Sequence, residues 1–368
     1  MNTVYGGGDA KASGGMYLAS TSLALLALLK CGVDPEDPVV KDGLAYVDGL
    51  LVKEYGEVKK GRPSPTIQGS TYVGGILLMM FEALYDARTD KAMKAEGKDP
   101  KTDVRPPVVL EAKDKAVVTR IVEWLKDTHS RKGGWRYGAP IWESPGGVEE
   151  DPSATQIVLL GLASAGRIGV EAGPEVWKAA AAWNLEAQEK TGPAVKKPAP
   201  GDAGGGTYAV REGDRARGWA YLRRGTKEDE RVTGSITACG VSSLILCKAA
   251  LSKTKLWTKA LSAQVDRGIY DGLAWIDLHY TVDGNPESYR SHFYYLYGLE
   301  RLGTLGSFEK IGAHAWYPDG AKVILGLQAA DGHWDTRTEI EPCDVIDTCL
   351  ALLFLRRATI PVGVTLTR

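Results

Sequence analysis

The chain alternates two kinds of segment. Six segments begin with small or polar residues and continue as nearly unbroken apolar runs, at residues 20–29, 70–79, 153–162, 235–246, 288–299 and 345–355. Their starts lie 50, 83, 82, 53 and 57 residues apart. Runs that are apolar nearly all round predict helices buried on every side. Ser and Thr at their starts can accept hydrogen bonds from the free backbone N–H groups of a first turn. Between them lie amphipathic segments, 39–53, 112–126, 174–190, 256–278 and 316–327, with apolar residues three and four apart. In the second of these the stripe is Val117, Val118, Ile121, Val122, Trp124 and Leu125. In the third, Pro174 suits the first turn of a helix. Strand-like alternation is nearly absent.

This alternation predicts an all-α protein, an α/α toroid with six inner helices inside an outer ring of about five. The repeat calls for an outer helix before Ser20, and the glycine-rich residues 1–15 are not expected to supply it. The expectation is therefore that the natural chain continues upstream of Met1, with an atypical terminal repeat as the alternative. A length of 368 residues fits one repeat-built domain. Two insertions interrupt the spacing. Residues 88–107 are charged and proline-containing, a surface excursion. Residues 192–234 hold a Pro/Gly-rich stretch ending at Tyr208 and then a charge-dense stretch from Arg211 to Arg231. Long loops are often functional, and this one leads into an inner helix, so it is expected to cover the toroid mouth.

Charge narrows the range of partners. Lys+Arg 45 against Asp+Glu 46 leaves a net charge of -1, with no global field to attract nucleic acid or anionic membrane. No run approaches the roughly 20 uninterrupted apolar residues of a membrane span, so no integral membrane segment is expected. Residues 1–15 show no signal-peptide pattern, and the compartment stays open. Four of five cysteines (Cys31, Cys239, Cys247, Cys349) fall in apolar runs, where reduced core thiols are the default; Cys343 alone sits in a loop-like context. Ten Trp and 16 Tyr against four Phe favour aromatics with a polar handle, suited to a lined cavity or to half-exposed packing.

One stretch combines these features. Gly133-Gly-Trp-Arg-Tyr-Gly-Ala-Pro-Ile-Trp142 is followed by Glu149-Glu-Asp-Pro-Ser-Ala-Thr-Gln156 and the apolar run 157–165. Its surplus over the repeat (Trp142, Glu150, Asp151 and Gln156) marks the first place to look for a site.

Leu327-Gln-Ala-Ala-Asp-Gly-His-Trp334, with His129-Ser-Arg-Lys-Gly-Gly-Trp135 as a weaker copy, resembles the Gln-to-Trp turn of the terpenoid cyclase / protein prenyltransferase toroid superfamily. The stretches Tyr294-Tyr-Leu-Tyr-Gly-Leu-Glu-Arg301, Lys310-Ile-Gly-Ala-His-Ala-Trp-Tyr317 and Asp347-Thr-Cys-Leu-Ala-Leu-Leu-Phe-Leu355 are similar to bacterial, planctomycete-type squalene-cyclase-like repeat proteins. The resemblance covers nearly the whole chain from about Ala19. It implies a toroid, in some relatives joined to a further domain or partner chain, and it implies little about the reaction.

The chemistry that the resemblance brings is incomplete here. Cyclases of this superfamily use an Asp-x-Asp-Asp acid at the start of an inner helix. This chain offers Glu149-Glu-Asp151 and Asp344-Val-Ile-Asp347, neither of which matches. Asp151 and Asp347 are the candidate catalytic acids, and each serves equally as a helix cap or dipole partner. Prenyltransferases bind zinc through Asp, Cys and His. Cys239 and His292 lie near comparable places, but Thr237 stands where the Asp belongs, so no metal or cofactor is expected.

What remains is a cavity ringed by helix N-termini and aromatic loops. Trp142, Glu150, Gln156, Tyr208, Tyr289, His292, Tyr295 and Asp344 are the expected binding residues, for an isoprenoid (lipid), a glycan or a peptide. Trp135 and Trp334 read more simply as staples between repeats. The alternative is an enzyme of terpene cyclase-like or polysaccharide lyase/hydrolase-like type, with the rim carboxylates as acid and base.

Overall fold

A computed structural model of the chain describes residues 12–55, 71–130, 132–136, 150–195, 207–208, 213–222, 227, 229–335 and 344–363. Eleven α-helices lie among them, joined by irregular loops and one two-residue parallel strand pair. The protein is all-α. The chain divides into two compact units. The first comprises Met1–His129, Arg136–Gly146 and Ile157–Ala172, and the second Ser130–Trp135, Gly147–Gln156 and Gly173–Arg368.

The first unit holds α1 (Ala12–Lys30), α2 (Pro38–Tyr55), α3 (Thr71–Ala95), α4 (Ala112–Thr128) and the part of α5 (Pro152–Arg167) from Ile157 onward. The apolar helices α1 and α3 pack against each other, α2 covers α1, and α4 covers α3. Helix α4 buries Val118, Ile121, Val122, Trp124 and Leu125, most of the stripe read from the sequence. α3 meets α5 nearly backbone to backbone. A Cβ on Gly75 would lie 2.4 Å from the Ile157 carbonyl oxygen, and one on Gly161 2.6 Å from the Gly75 Cα, so only glycine fits. Glu82 of α3 is buried there. Burial alone would raise its pKa, but the Arg167 guanidinium, with Ser164 also donating to it (2.7 Å), holds it below the usual range.

The second unit holds the first five residues of α5, then α6 (Pro174–Ala187), α7 (Gly234–Leu251), α8 (Lys259–Leu278), α9 (His292–Leu305), α10 (Trp316–Gly326) and α11 (Asp344–Arg356). Helix α7 is its centre, contacted by α6, α8 and α9, and α9 in turn packs on α11. Among the described residues α7 is long and apolar enough to cross a membrane, yet 89% of it is buried within the chain, as expected of a core helix. The strand pair joins β1 (Thr207–Tyr208), inside the second insertion, to β2 (Lys310–Ile311).

Three boundaries differ from the sequence reading. α1 begins at Ala12, so residues 12–15 are helical despite Gly14 and Gly15. α3 runs on through residues 88–95, where Ala, Lys, Met and Arg favour helix, and the chain turns at Gly97 with φ +75°. The surface excursion is correspondingly shorter. α9 starts at His292 instead of Ser288, because Ser291 sits in the left-handed region at φ 61° and breaks the helix there.

The tryptophan turns are a recurrent device. Trp135, Trp219 and Trp334 are buried, and each precedes an apolar helix. The backbone N–H of Trp135 donates to Thr155 Oγ1 (3.0 Å), that of Trp219 to Thr237 Oγ1 (3.2 Å) and that of Trp334 to Thr348 Oγ1 (3.0 Å). The indole N–H of Trp219 reaches back to the Asn184 carbonyl of α6 (2.9 Å), and that of Trp334 to the Ile324 carbonyl of α10 (2.7 Å). Each of these two residues ties the preceding amphipathic helix to the following apolar one. These threonine hydroxyls therefore serve the incoming turn, and the cap of α7 falls to Thr233, which accepts from Ile236 N–H. Replacing Thr237 by Val leaves a buried N–H without an acceptor and is expected to cost about 1–3 kcal/mol. Denaturant melts of Thr237→Val and Thr237→Ser check this, with serine expected to retain most of the wild-type stability.

Candidate functional site

The candidate site lies in the second unit, where the first turns of α5 and α7 meet α9. Ser153 and Gln156 come from α5, Cys239 from α7, and Tyr294, Tyr297, Glu300 and Arg301 from α9. The three α9 residues Tyr294, Tyr297 and Arg301 are three and four apart and so share a helix face. Arg301 is 2% exposed, and its Nη1 donates to Gln156 Oε1. Its guanidinium lies 3.8 Å from the centroid of the Tyr297 ring and 5.7 Å from that of Tyr294, a cation–π arrangement in a desolvated place. The Cys239 thiol donates to the same Gln156 oxygen (3.3 Å) and lies 3.3 Å from the Tyr294 hydroxyl, which donates to Ser153 Oγ (3.2 Å).

Electrostatics follow from burial. The Cys239 thiol is pushed up to about 12, chiefly by desolvation, and neither Tyr294 nor Arg301 reverses this. It is a neutral thiol and a hydrogen-bond donor at physiological pH. Desolvation also raises the hydroxyls of Tyr294 and Tyr297. Glu300, fully buried, has its carboxyl pushed up to about 7 by desolvation, against hydrogen bonds from the Thr359 N–H (3.1 Å) and hydroxyl (2.6 Å) and from Thr304 (3.1 Å).

The expected site residues divide. Gln156 is at the heart of this cluster. Asp151 is fully buried beside it, and its Oδ1 accepts from Ala154 N–H (2.7 Å), so it caps α5 as the alternative reading had it. Glu150 is buried and lines a small cleft with Lys132, Pro152, Trp183, Ala187, Ala220 and Tyr221. Asp347 is buried in the first turn of α11, and the exposed Asp344 accepts from Val345 N–H (2.8 Å). His292 is the first residue of α9, with its Nε2 on the Val282 carbonyl (2.8 Å) and its pKa lowered by burial. Tyr295 is fully buried in the core. Tyr289 does not begin α9 as expected: it precedes the helix, is 61% exposed, and stacks under Arg290. For Tyr208 only the backbone pairing with Ile311 is described, and Trp142 and Cys343 lie outside the described residues.

Arg301 and Tyr297 escaped the sequence reading. The visible signal was a Tyr-x-x-Tyr-x-x-x-Arg spacing inside an apolar run, which puts a charge on a face that should carry none.

No family model matches the chain, and no curated protein matches it in sequence. Among the described residues no group of three or more His, Cys, Asp or Glu is arranged to hold a metal ion.

Glu300 gives the site a measurable pH signature. Its folded pKa stands above the unfolded value of 4.5, so the folded state holds a proton that the unfolded chain releases. The associated stability is complete below about pH 4.5 and is lost as pH rises to about 7, on the order of 3 kcal/mol in all. Glu300→Gln is expected to flatten this segment of a stability–pH profile measured by urea denaturation. An unchanged profile in the variant would place the titration elsewhere.

Proposed function

We propose that the helices close as an α/α toroid of the terpenoid cyclase / protein prenyltransferase kind, and that the protein binds a ligand in it without cyclase or zinc-transferase chemistry. Support for the ring comes from the order of neighbours within each unit. Apolar helices follow one another as α1, α3, α5 in the first, and as the start of α5, then α7, α9 and α11 in the second, with amphipathic helices laid against them. The resemblance of the Gln-to-Trp turns to that superfamily points the same way.

One observation carries the binding reading. Polar and aromatic side chains from three apolar helices (Ser153, Gln156, Cys239, Tyr294 and Arg301) converge inside the second unit, while the groups that catalysis would need are committed to other work. Asp151 holds its own helix start, Cys239 is a neutral thiol, and His292 is tied to a backbone carbonyl. The favoured ligand has an apolar body, an isoprenoid in the first instance, with glycan and peptide as the other classes this cluster could hold. Acid–base catalysis by Asp151 and Asp347 is the weaker reading, since one of the pair already spends an oxygen on capping.

Native mass spectrometry of the purified chain, with and without a chelator, tests the reading. The expected result is an organic adduct that survives chelation and leaves on denaturation, together with a rise in Tm on adding farnesol, a cello-oligosaccharide or a short peptide. Stoichiometric zinc removed by the chelator would turn the assignment to a metal transferase. A bare chain that none of the three probes stabilises would end the binding reading altogether.

A further inference from the structure

We infer that Arg301 and Gln156 form a buried oxyanion site, receiving the carboxylate or phosphate head of a ligand or the free ion. The inference deepens the binding reading above and rests on it for the apolar part of that ligand. A guanidinium stays charged at any pH the protein meets, and burying it without a counter-charge is costly. Arg301 is sealed in the core, yet no ion pair to it exists among the described residues. The carboxylate next in sequence, Glu300, directs its oxygens to Thr304 and Thr359. Asp151, a buried carboxylate whose charge is felt at Cys239, has one oxygen on Ala154 N–H and makes no ion pair with Arg301 among the described residues.

The donors left over are specific. Arg301 Nε and Gln156 Nε2 are both buried and have no hydrogen-bond partner among the described residues. The amide cannot simply be flipped, because its oxygen accepts from both Arg301 Nη1 and the Cys239 thiol. Its NH2 therefore faces away from both. Two unused donors, one of them cationic, on side chains already hydrogen-bonded to each other, call for an acceptor with negative charge and more than one oxygen. A carboxylate or phosphate supplies that, and the neutral thiol of Cys239 does not compete for it. Tyr294 is the one member of the cluster that is not fully buried, so a ligand would arrive past it.

Thermal melts at pH 6 and constant ionic strength test this, with inorganic phosphate, acetate or decanoate replacing chloride. At that pH Glu300 is largely neutral and does not offset the guanidinium. A saturable rise in Tm with an oxyanion and none with chloride is expected. Arg301→Lys should raise the half-saturating concentration about tenfold or more, having lost the planar fork and its Nε. Gln156→Glu brings the chain's own carboxylate to Arg301, so it should not respond at all; it also keeps the test open should the Arg301 variant fail to fold. A response to decanoate alone assigns the acidic head of an apolar ligand, and a response to all three assigns the free ion. No oxyanion response in the wild type, or a wild-type response in Gln156→Glu, overturns the site. A neutral adduct by native mass spectrometry without any oxyanion response would refute this inference and leave the binding reading standing. An oxyanion response in a chain that carries no organic adduct and ignores farnesol, the cello-oligosaccharide and the peptide would do the reverse.

Discussion

Helices with no polar face must be covered on every side, and the rest of this structure follows from that demand. α7 illustrates it: of its residues from Gly234 to Leu251, only Ala249 and Ala250 escape full burial. A helix of this kind cannot be satisfied by one neighbour. It needs another apolar helix beside it and an amphipathic helix outside it, which α9 and α8 provide. The same demand sets the spacing at the α3–α5 crossing, where Gly75 and Gly161 remove the side chains that would hold the backbones apart. Close packing of this sort leaves little tolerance for added volume.

Covering helices must also be held in register with those they cover, and the buried tryptophans do this with hydrogen bonds as well as area. Their turns carry backbone N–H groups into a dry region where an unsatisfied donor is expensive. A threonine in the first turn of the next helix accepts each one. The fit is mutual, for the Trp219 ring occupies the space that a side chain on Gly240 would need, 2.3 Å from its would-be Cβ. One turn thereby fixes three elements, and a repeat unit of about this size becomes self-consistent through its neighbours.

Much of this was legible in the sequence because it is periodic. The six apolar runs and five amphipathic segments correspond to α1 through α11, since burial on one face or all faces writes itself into residues three and four apart. The role of Trp334 as a staple was equally open to reading. The failures are local backbone events or long-range pairings. Ser291 in the left-handed region delays α9 by four residues, and nothing in a run of polar and aromatic residues announces such a turn. Gln156 was singled out as part of an acidic loop, but its partner Arg301 lies 145 residues away. An arginine near the end of an apolar helix reads as a solvent-facing cap, and only the fold reveals that it points inward.

Two arginines, Arg167 with its side chain about a third exposed and Arg301 sealed in the core, separate structure from binding. In the first unit Glu82 meets Arg167 with Ser164 completing the set, so charge cancels charge and the carboxyl is driven below its usual range. That pair is closed, and its use is to hold α3 to α5. In the second unit the guanidinium of Arg301 meets an amide oxygen and two tyrosine rings, partners that soften a cation without neutralising it. The neighbouring Glu300 has its carboxyl pushed up to about 7 by desolvation, against the pull of Arg301, and directs its oxygens to Thr304 and Thr359 instead of the guanidinium. An arginine that only had to hold helices together would be served better by the first arrangement, because a buried charge left without a partner is costly. Retaining an uncompensated guanidinium beside unused amide donors makes sense if the compensating charge arrives with something that is bound.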